Sequence, residues 1–197
     1  MSAPQAVLDA IKTLEEYLQG IQEPRPIPPE PHNTVTPPFG VLMTLMTIFG
    51  LNYDGSDDKG DIDSSGKPLK GAWGADTHNK DILGCALPIK LLQSTFGGLE
   101  ASHIKGFTVE IYSEVTHKTV FPVDIVDEGP AAWTHRGIDG TYALHKALGH
   151  LDYGVATYGP FSKWPAGFHV SYWIHDQAGN PIEIKGWDFH KGRVIGS

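Results

Sequence analysis

The sequence predicts a mainly β protein: a barrel of short strands carrying one inserted short helix, preceded by a separate amphipathic helix on a proline-rich spacer. Three observations support this. The 197 residues include 23 Gly, 15 Pro, eight Phe, five Trp and seven Tyr, a mix that favours short strands and tight turns over a helical bundle. Several segments alternate apolar and polar residues, the period of a strand with one buried face. No longer period recurs, so a repeat array is excluded. A chain of this length suits one domain with an appendage and can bury a self-sufficient core.

At the start, Val7, Leu8, Ile11, Leu14, Leu18 and Ile21 recur at three- and four-residue steps, with Asp9, Lys12, Glu15, Glu16 and Gln19 between them. That spacing predicts an N-terminal amphipathic helix within residues 1–23. Its apolar stripe requires a partner: the domain itself, a second copy of the helix in a self-associated pair, or a docking surface on another protein. Residues 24–40 form the linker, because Pro24, Pro26, Pro28, Pro29, Pro31, Pro37 and Pro38 block helix and central strand and favour a stiff extended spacer.

Residues 41–197 are the barrel domain. Val41 to Phe49 reads as a core strand. Phe107, Val109 and Ile111 alternate with Thr108, Glu110 and Tyr112, and after the polar bend Ser113 to Lys118 come Val120, Val123, Ile125 and Val126, a β-hairpin. Thr141 to Leu148 is a short helix stopped by Gly149. Gly167 to Ile174 is a further strand, which Gln177-Ala178-Gly179-Asn180 turns into Pro181 to Ile184, leaving an extra hairpin or tail at the end of the chain.

Charge narrows the partners. The formal net charge of −8 repels phosphate backbones and anionic lipid and attracts cations, so nucleic acid is not expected. No apolar stretch approaches the roughly 20 residues of a spanning helix, so no membrane span is expected. Cys85 stands alone, which excludes an intrachain disulfide and any multi-cysteine zinc site. The opening Met-Ser-Ala-Pro-Gln lacks the basic head and apolar centre of a secretory signal. Either the chain is cytoplasmic as made, or its export signal is already removed or of another type, and compartment stays open.

Two acidic segments could carry chemistry. Asp61-Ile62-Asp63-Ser64-Ser65-Gly66 matches the first half of a calcium loop, but Ala72 falls where the bidentate Glu belongs. A regular EF-hand is therefore excluded, while a looser calcium site on Asp58, Asp61 and Asp63 stays open; no other cofactor is expected. The ten histidines include no helix-spaced zinc pair with an adjacent Glu. The second segment is Val123 to Pro130, then Arg136-Gly137-Ile138-Asp139-Gly140 and the helix. A strand ending in Asp127 and a second carboxylate, Asp139, at a helix start would set two acids on loops near one barrel rim. The structural alternative has Asp127 satisfying loop amides and Asp139 capping the helix.

These pieces resemble a known architecture. Leu87-Pro88, the strand Phe107 to Ile111, the strand Val120 to Val126 running into Asp127-Glu128-Gly129-Pro130, then Gly137-Ile138-Asp139 and Ala147-Leu148-Gly149 look like the double-psi β-barrel of rare lipoprotein A, the expansins and the lytic transglycosylases. Gly71 to Thr77 and Gly84 to Pro88 resemble the opening of bacterial barrels of this kind. The likeness spans about Thr47 to Ile174 and implies a six-stranded double-psi barrel. A weaker similarity, to the family 75 chitosanases, implies that Asp127 and Asp139 do the chemistry. Two departures matter. Glu128 stands where rare lipoprotein A has Arg, which adds negative charge and favours a chitosan-like substrate, and the expansin His-Phe-Asp tripeptide is absent.

The expectation is a glycan-cleaving enzyme acting on β-linked amino-sugar polymers, chitosan-like or the peptidoglycan backbone, as a glycoside hydrolase or lytic transglycosylase. Asp127 and Asp139 form the acid pair, with Asp76 in reserve. Trp73, Trp133, Tyr158 and Trp164 are candidates to stack on sugar rings, Trp133 foremost because it lies between the two acids. Such an enzyme would act on extracellular or cell-wall glycan. The alternatives are a non-catalytic polysaccharide- or protein-binding barrel, and a delivered toxin or phage-type lysin.

Overall fold

The computed structural model describes residues 38–153 and 167–195. The predicted N-terminal helix and nearly all of the proline-rich spacer lie outside them. Six strands close a barrel in the order β1-β5-β2-β4-β3-β6. They are β1 (Gly40–Ile48), β2 (Gly84–Leu87), β3 (Thr108–Ser113), β4 (Thr119–Glu128), β5 (Ile138–Gly140) and β6 (Phe168–His175). The barrel is mixed: β1 with β5 and β2 with β4 run parallel, and the other four pairs antiparallel. The protein is therefore mainly β, and its closed mixed barrel is compatible with the double-psi arrangement.

Strand periodicity explains the core. Met46, Cys85, Val109, Ile125 and Ile138 point inward and are at most 9% exposed. Each fully buried Ile, Val or Met side chain contributes about 1.5–3 kcal/mol. The β3–β4 hairpin turns where expected, with Ser113 N–H donating to Lys118 O (2.9 Å) and Ser113 Oγ accepting from Thr116 N–H (3.1 Å). β6 is buried on both faces. On its outer face the Trp173 ring lies over Gly40 of β1, where a Cβ would come within 2.4 Å of Trp173 Nε1.

Three α-helices are described: α1 (Ile89–Phe96), α2 (Ala101–Ile104) and α3 (Tyr142–Ala147). Only α3 was legible in the sequence, and it stops as predicted at Gly149, whose φ is 75°. α1 is two turns long, too short for its period to stand out from a strand. It buries Leu91 and Leu92 and ends at Gly97, φ 81°. After β6, the expected return strand Pro181 to Ile184 shrinks to one bridge, His175 to Pro181, plus Ile182 N–H donating to Ile174 O (2.9 Å). A small terminal hairpin follows, β7 (Trp187–Asp188) with β8 (Arg193–Val194). Among the described residues no helix is long and apolar enough to cross a membrane.

Candidate active site

Strand register, rather than loop proximity, brings the two acids together. Thr47 pairs with Asp139 across β1 and β5, Ala86 with Asp139 across β2 and β5, and Ala86 with Asp127 across β2 and β4. The result is one cross-strand row, Thr47, Asp139, Ala86, Asp127. Because strand neighbours alternate faces, and Met46, Ile138, Cys85 and Ile125 belong to the core, this row faces away from it. An irregularity in the β2–β4 register sets the phase: Cys85 pairs with Ile125 but Ala86 with Asp127, so Val126 is skipped. Neighbouring strands lie about 4.8 Å apart, which separates the two aspartate backbones by roughly 9.5 Å across a single methyl side chain.

Asp139 is 8% exposed. Its Oδ1 accepts the Thr47 hydroxyl at 2.5 Å and lies 3.5 Å from Arg136 Nη1, which also donates to Thr47 Oγ1. Oδ1 is thus committed as an acceptor, and a main-chain hydrogen bond from Thr47 also reaches the carboxyl. Burial pushes the carboxyl up to about 6, against the pull of Arg136 and the Thr47 hydrogen bonds, and the charge of Asp61 adds to the rise. Asp139 does not cap α3. That helix has Thr141 as its N-cap residue, and Thr141 Oγ1 ties Ile82 O to Gly84 N–H (2.6 and 3.1 Å).

Asp127 is half-buried, and its Oδ1 accepts two main-chain donors, Ala72 N–H and Glu128 N–H, both at 2.8 Å. Burial raises its carboxyl above the ordinary value, the two amides pull it back, and Asp61 again pushes it up. Asp61 therefore acts electrostatically on both acids. Its Oδ2 accepts Gly50 N–H (2.7 Å), and its carbonyl lies 3.1 Å from Nε2 of His78, whose Nδ1 is 3.0 Å from Asp57 Oδ1.

Behind the row lies a buried histidine pair. His150 Nδ1 is 3.0 Å from His145 Nδ1, and His150 Nε2 is 2.8 Å from Ser113 Oγ. Since Ser113 Oγ already accepts backbone N–H groups, its proton goes to His150 Nε2. This leaves His150 Nδ1–H to donate to His145. Burial drives both rings to the neutral form, His145 down to about 4 and His150 to about 2. His145 also meets Tyr53 edge-on at 5.1 Å. Burial and the charge of Asp139 raise the Tyr53 phenol.

The remaining candidates fall elsewhere. Asp76 is exposed in the turn closed by Asn79 N–H on its carbonyl (3.0 Å), and no interaction among the described residues joins it to the row. Trp73 is half-buried, with its indole N–H anchored on Leu99 O (2.9 Å). Trp133 is 62% exposed on the 3₁₀ turn Ala132–Thr134 between β4 and β5. Tyr158 and Trp164 lie outside the described residues. In the acidic loop, Asp58 accepts Gly60 N–H and Asp63 accepts Ser65 and Lys67 N–H groups. Among the described residues no group of three or more His, Cys, Asp or Glu side chains is arranged to hold a metal. Sequence reasoning missed Thr47 and Arg136 and gave Asp61 only a calcium role. Arg136, three residues before Asp139, was the one visible signal.

Fold and site together define a closed six-stranded mixed barrel bearing two carboxylates of unlike environment in one row. No protein-family model matches the chain, and no curated protein matches it.

Proposed function

We propose that the protein belongs with the double-psi barrels and cleaves β-linked amino-sugar polymers by acid–base hydrolysis, with Asp139 as general acid and Asp127 as general base. The observation that carries this reading is the row itself, in which two carboxylates about two strands apart differ in burial and in their donors. Glycosidic cleavage needs one carboxyl protonated and one ionised. Inversion at the anomeric carbon goes with carboxyl groups roughly 6.5–9.5 Å apart, room for a water, a spacing that backbones two strands apart allow.

In this reading the proton of Asp139 sits on Oδ2, since Oδ1 is committed to Thr47 and Arg136. It passes to the glycosidic oxygen as the bond from that oxygen to the anomeric carbon breaks. Asp127 Oδ2, left open while Oδ1 is held by two amides, takes a proton from the water whose oxygen bonds to that carbon. Arg136 and Thr47 then steady the ionised Asp139, and solvent restores both protonation states. Rate should fall as pH rises through about 6, where Asp139 ionises, and again on the acid side as Asp127 takes up a proton.

The rival reading is a non-catalytic polysaccharide-binding barrel. It is favoured by the 8% exposure of Asp139, which a sugar must reach. Incubation with chitosan, chitin and peptidoglycan, followed by reducing-end assay and mass spectrometry, separates the readings. Hydrolysis yields new reducing ends, transglycosylation yields anhydro ends, and a binding module yields neither. Cleavage that persists in both Asp127→Asn and Asp139→Asn would remove the aspartates from the mechanism.

A further inference from the structure

A second feature lies on the strand that carries Asp127. A cleft of about 530 Å³ is lined by Trp73, Ser102, Lys105, Phe107, Asp124 and Val126, among others. It is continuous in sequence with the acid row at two points: Val126 precedes Asp127, and Ala72, which precedes Trp73, donates its N–H to Asp127. One wall is the indole of Trp73, fixed by its bond to Leu99 O (2.9 Å). A rigidly held aromatic edge of this kind presents apolar area at little entropic cost. The lining also takes in α2 and its C-cap Lys105. Asp124, also in the lining, lies in the middle of β4 between two small neighbours, Gly84 and Thr108. Its carboxylate is exposed, and no hydrogen bond or ion pair among the described residues engages it; Lys105 lines the same cleft without pairing to it.

We propose that this cleft is a saccharide subsite beside the acid row, where a glucosamine ring lies against Trp73 and its 2-ammonium group is received by Asp124. The inference rests on the proposed glycan-cleaving reading, in that the same chain would run on past Asp127. Two properties select a cationic amine. Asp124 is fixed on a rigid strand with its charge unspent, whereas Lys105 ends a flexible four-carbon stem that can turn outward. The net charge of −8 also draws a polycation toward the surface.

The test is calorimetric titration of the full-length protein with a β-1,4-linked glucosamine tetramer and with its fully N-acetylated counterpart, in the wild type and in Asp124→Asn, Lys105→Met and Ser102→Trp variants. The wild type should prefer the amine-bearing tetramer by about tenfold, the scale of one charge-assisted hydrogen bond. Asp124→Asn should erase that preference while leaving the N-acetylated tetramer unchanged. Ser102→Trp, an exposed change that fills the cleft, should weaken both. High salt should shrink the preference, as expected of a partly exposed charge pair. Equal binding of the two tetramers, or a preference intact in Asp124→Asn, overturns the proposal. So does loss of all binding in Lys105→Met alone, since the cleft would then select an anion. Preference without cleavage supports the subsite and sinks only the enzyme reading; cleavage indifferent to Asp124 does the reverse.

Discussion

Asp127 and Asp139 flank the same alanine in the same row, yet the chain surrounds them differently. Asp139 is nearly out of water, held at one oxygen by a hydroxyl and a guanidinium. Asp127 is half-buried, held at one oxygen by two main-chain amides. Burial is the largest cause in both: it drives Asp139 up to about 6 and raises Asp127, where the two amides pull back. Position in a sheet therefore fixes where two carboxylates sit, while their donors and depth decide which one keeps its proton. The unlike environments lead us to assign them unlike roles.

The largest expected effect comes from removing each acid. Asp139→Asn and Asp127→Asn should each lower polymer cleavage by about 10²–10⁴-fold. The two should part on an aryl glycoside with a good leaving group, which needs little protonation. Steady-state rates on that substrate should recover substantially in Asp139→Asn and stay low in Asp127→Asn; equal deficits on both substrates would remove the distinction.

Arg136→Gln comes next. With the guanidinium gone, the Asp139 carboxyl should hold its proton to higher pH. The alkaline limb of the pH–rate profile, expected near 6 in the wild type, should move upward as kcat falls several-fold. An unchanged limb would mean that Arg136 does not face the acid in solution.

Stability should expose a second contrast, between the acid and the histidine pair. His145 and His150 titrate lower in the folded protein than their ordinary 6.5. Their contribution is therefore complete above about 6.5 and is lost as pH falls from there, through about 4 for His145 and about 2 for His150, on the order of 3 kcal/mol for His145 alone. Asp139 works the other way: its folded value of about 6 lies above the ordinary 3.8, so folding gains as pH falls from about 6 to 3.8. Urea unfolding from pH 7.5 to 4.5 should show a net loss toward acid that turns into a gain, left by Asp139, when both histidines are replaced by Gln. The smallest effect belongs to Asp61→Asn, which removes a negative charge near both acids and should move both limbs of the pH–rate profile slightly to lower pH.

Much of this was legible in the sequence, and the reasons are specific. The β3–β4 hairpin and β6 announce themselves by alternation, and α3 by its Gly149 stop. The acid pair was visible as two aspartates flanking a Gly-Pro turn, but the row was not. It depends on Ala86 pairing with both, on a register irregularity that skips Val126, and on a parallel partner, Thr47, 92 residues from Asp139. No local pattern encodes such pairings. Helix α1 escaped because two turns carry too few periods, and Asp139 looked like a cap only until Thr141 was seen in that place.

The most direct test is a ¹³C NMR titration of the aspartate carboxyls in the full-length protein. We expect Asp139 to titrate near 6 and Asp127, raised above its ordinary value by burial, to lose its proton before Asp139, as the role of base requires. Both carboxyls titrating together near 3.8, or Asp127 titrating above Asp139, would contradict the division of roles between them.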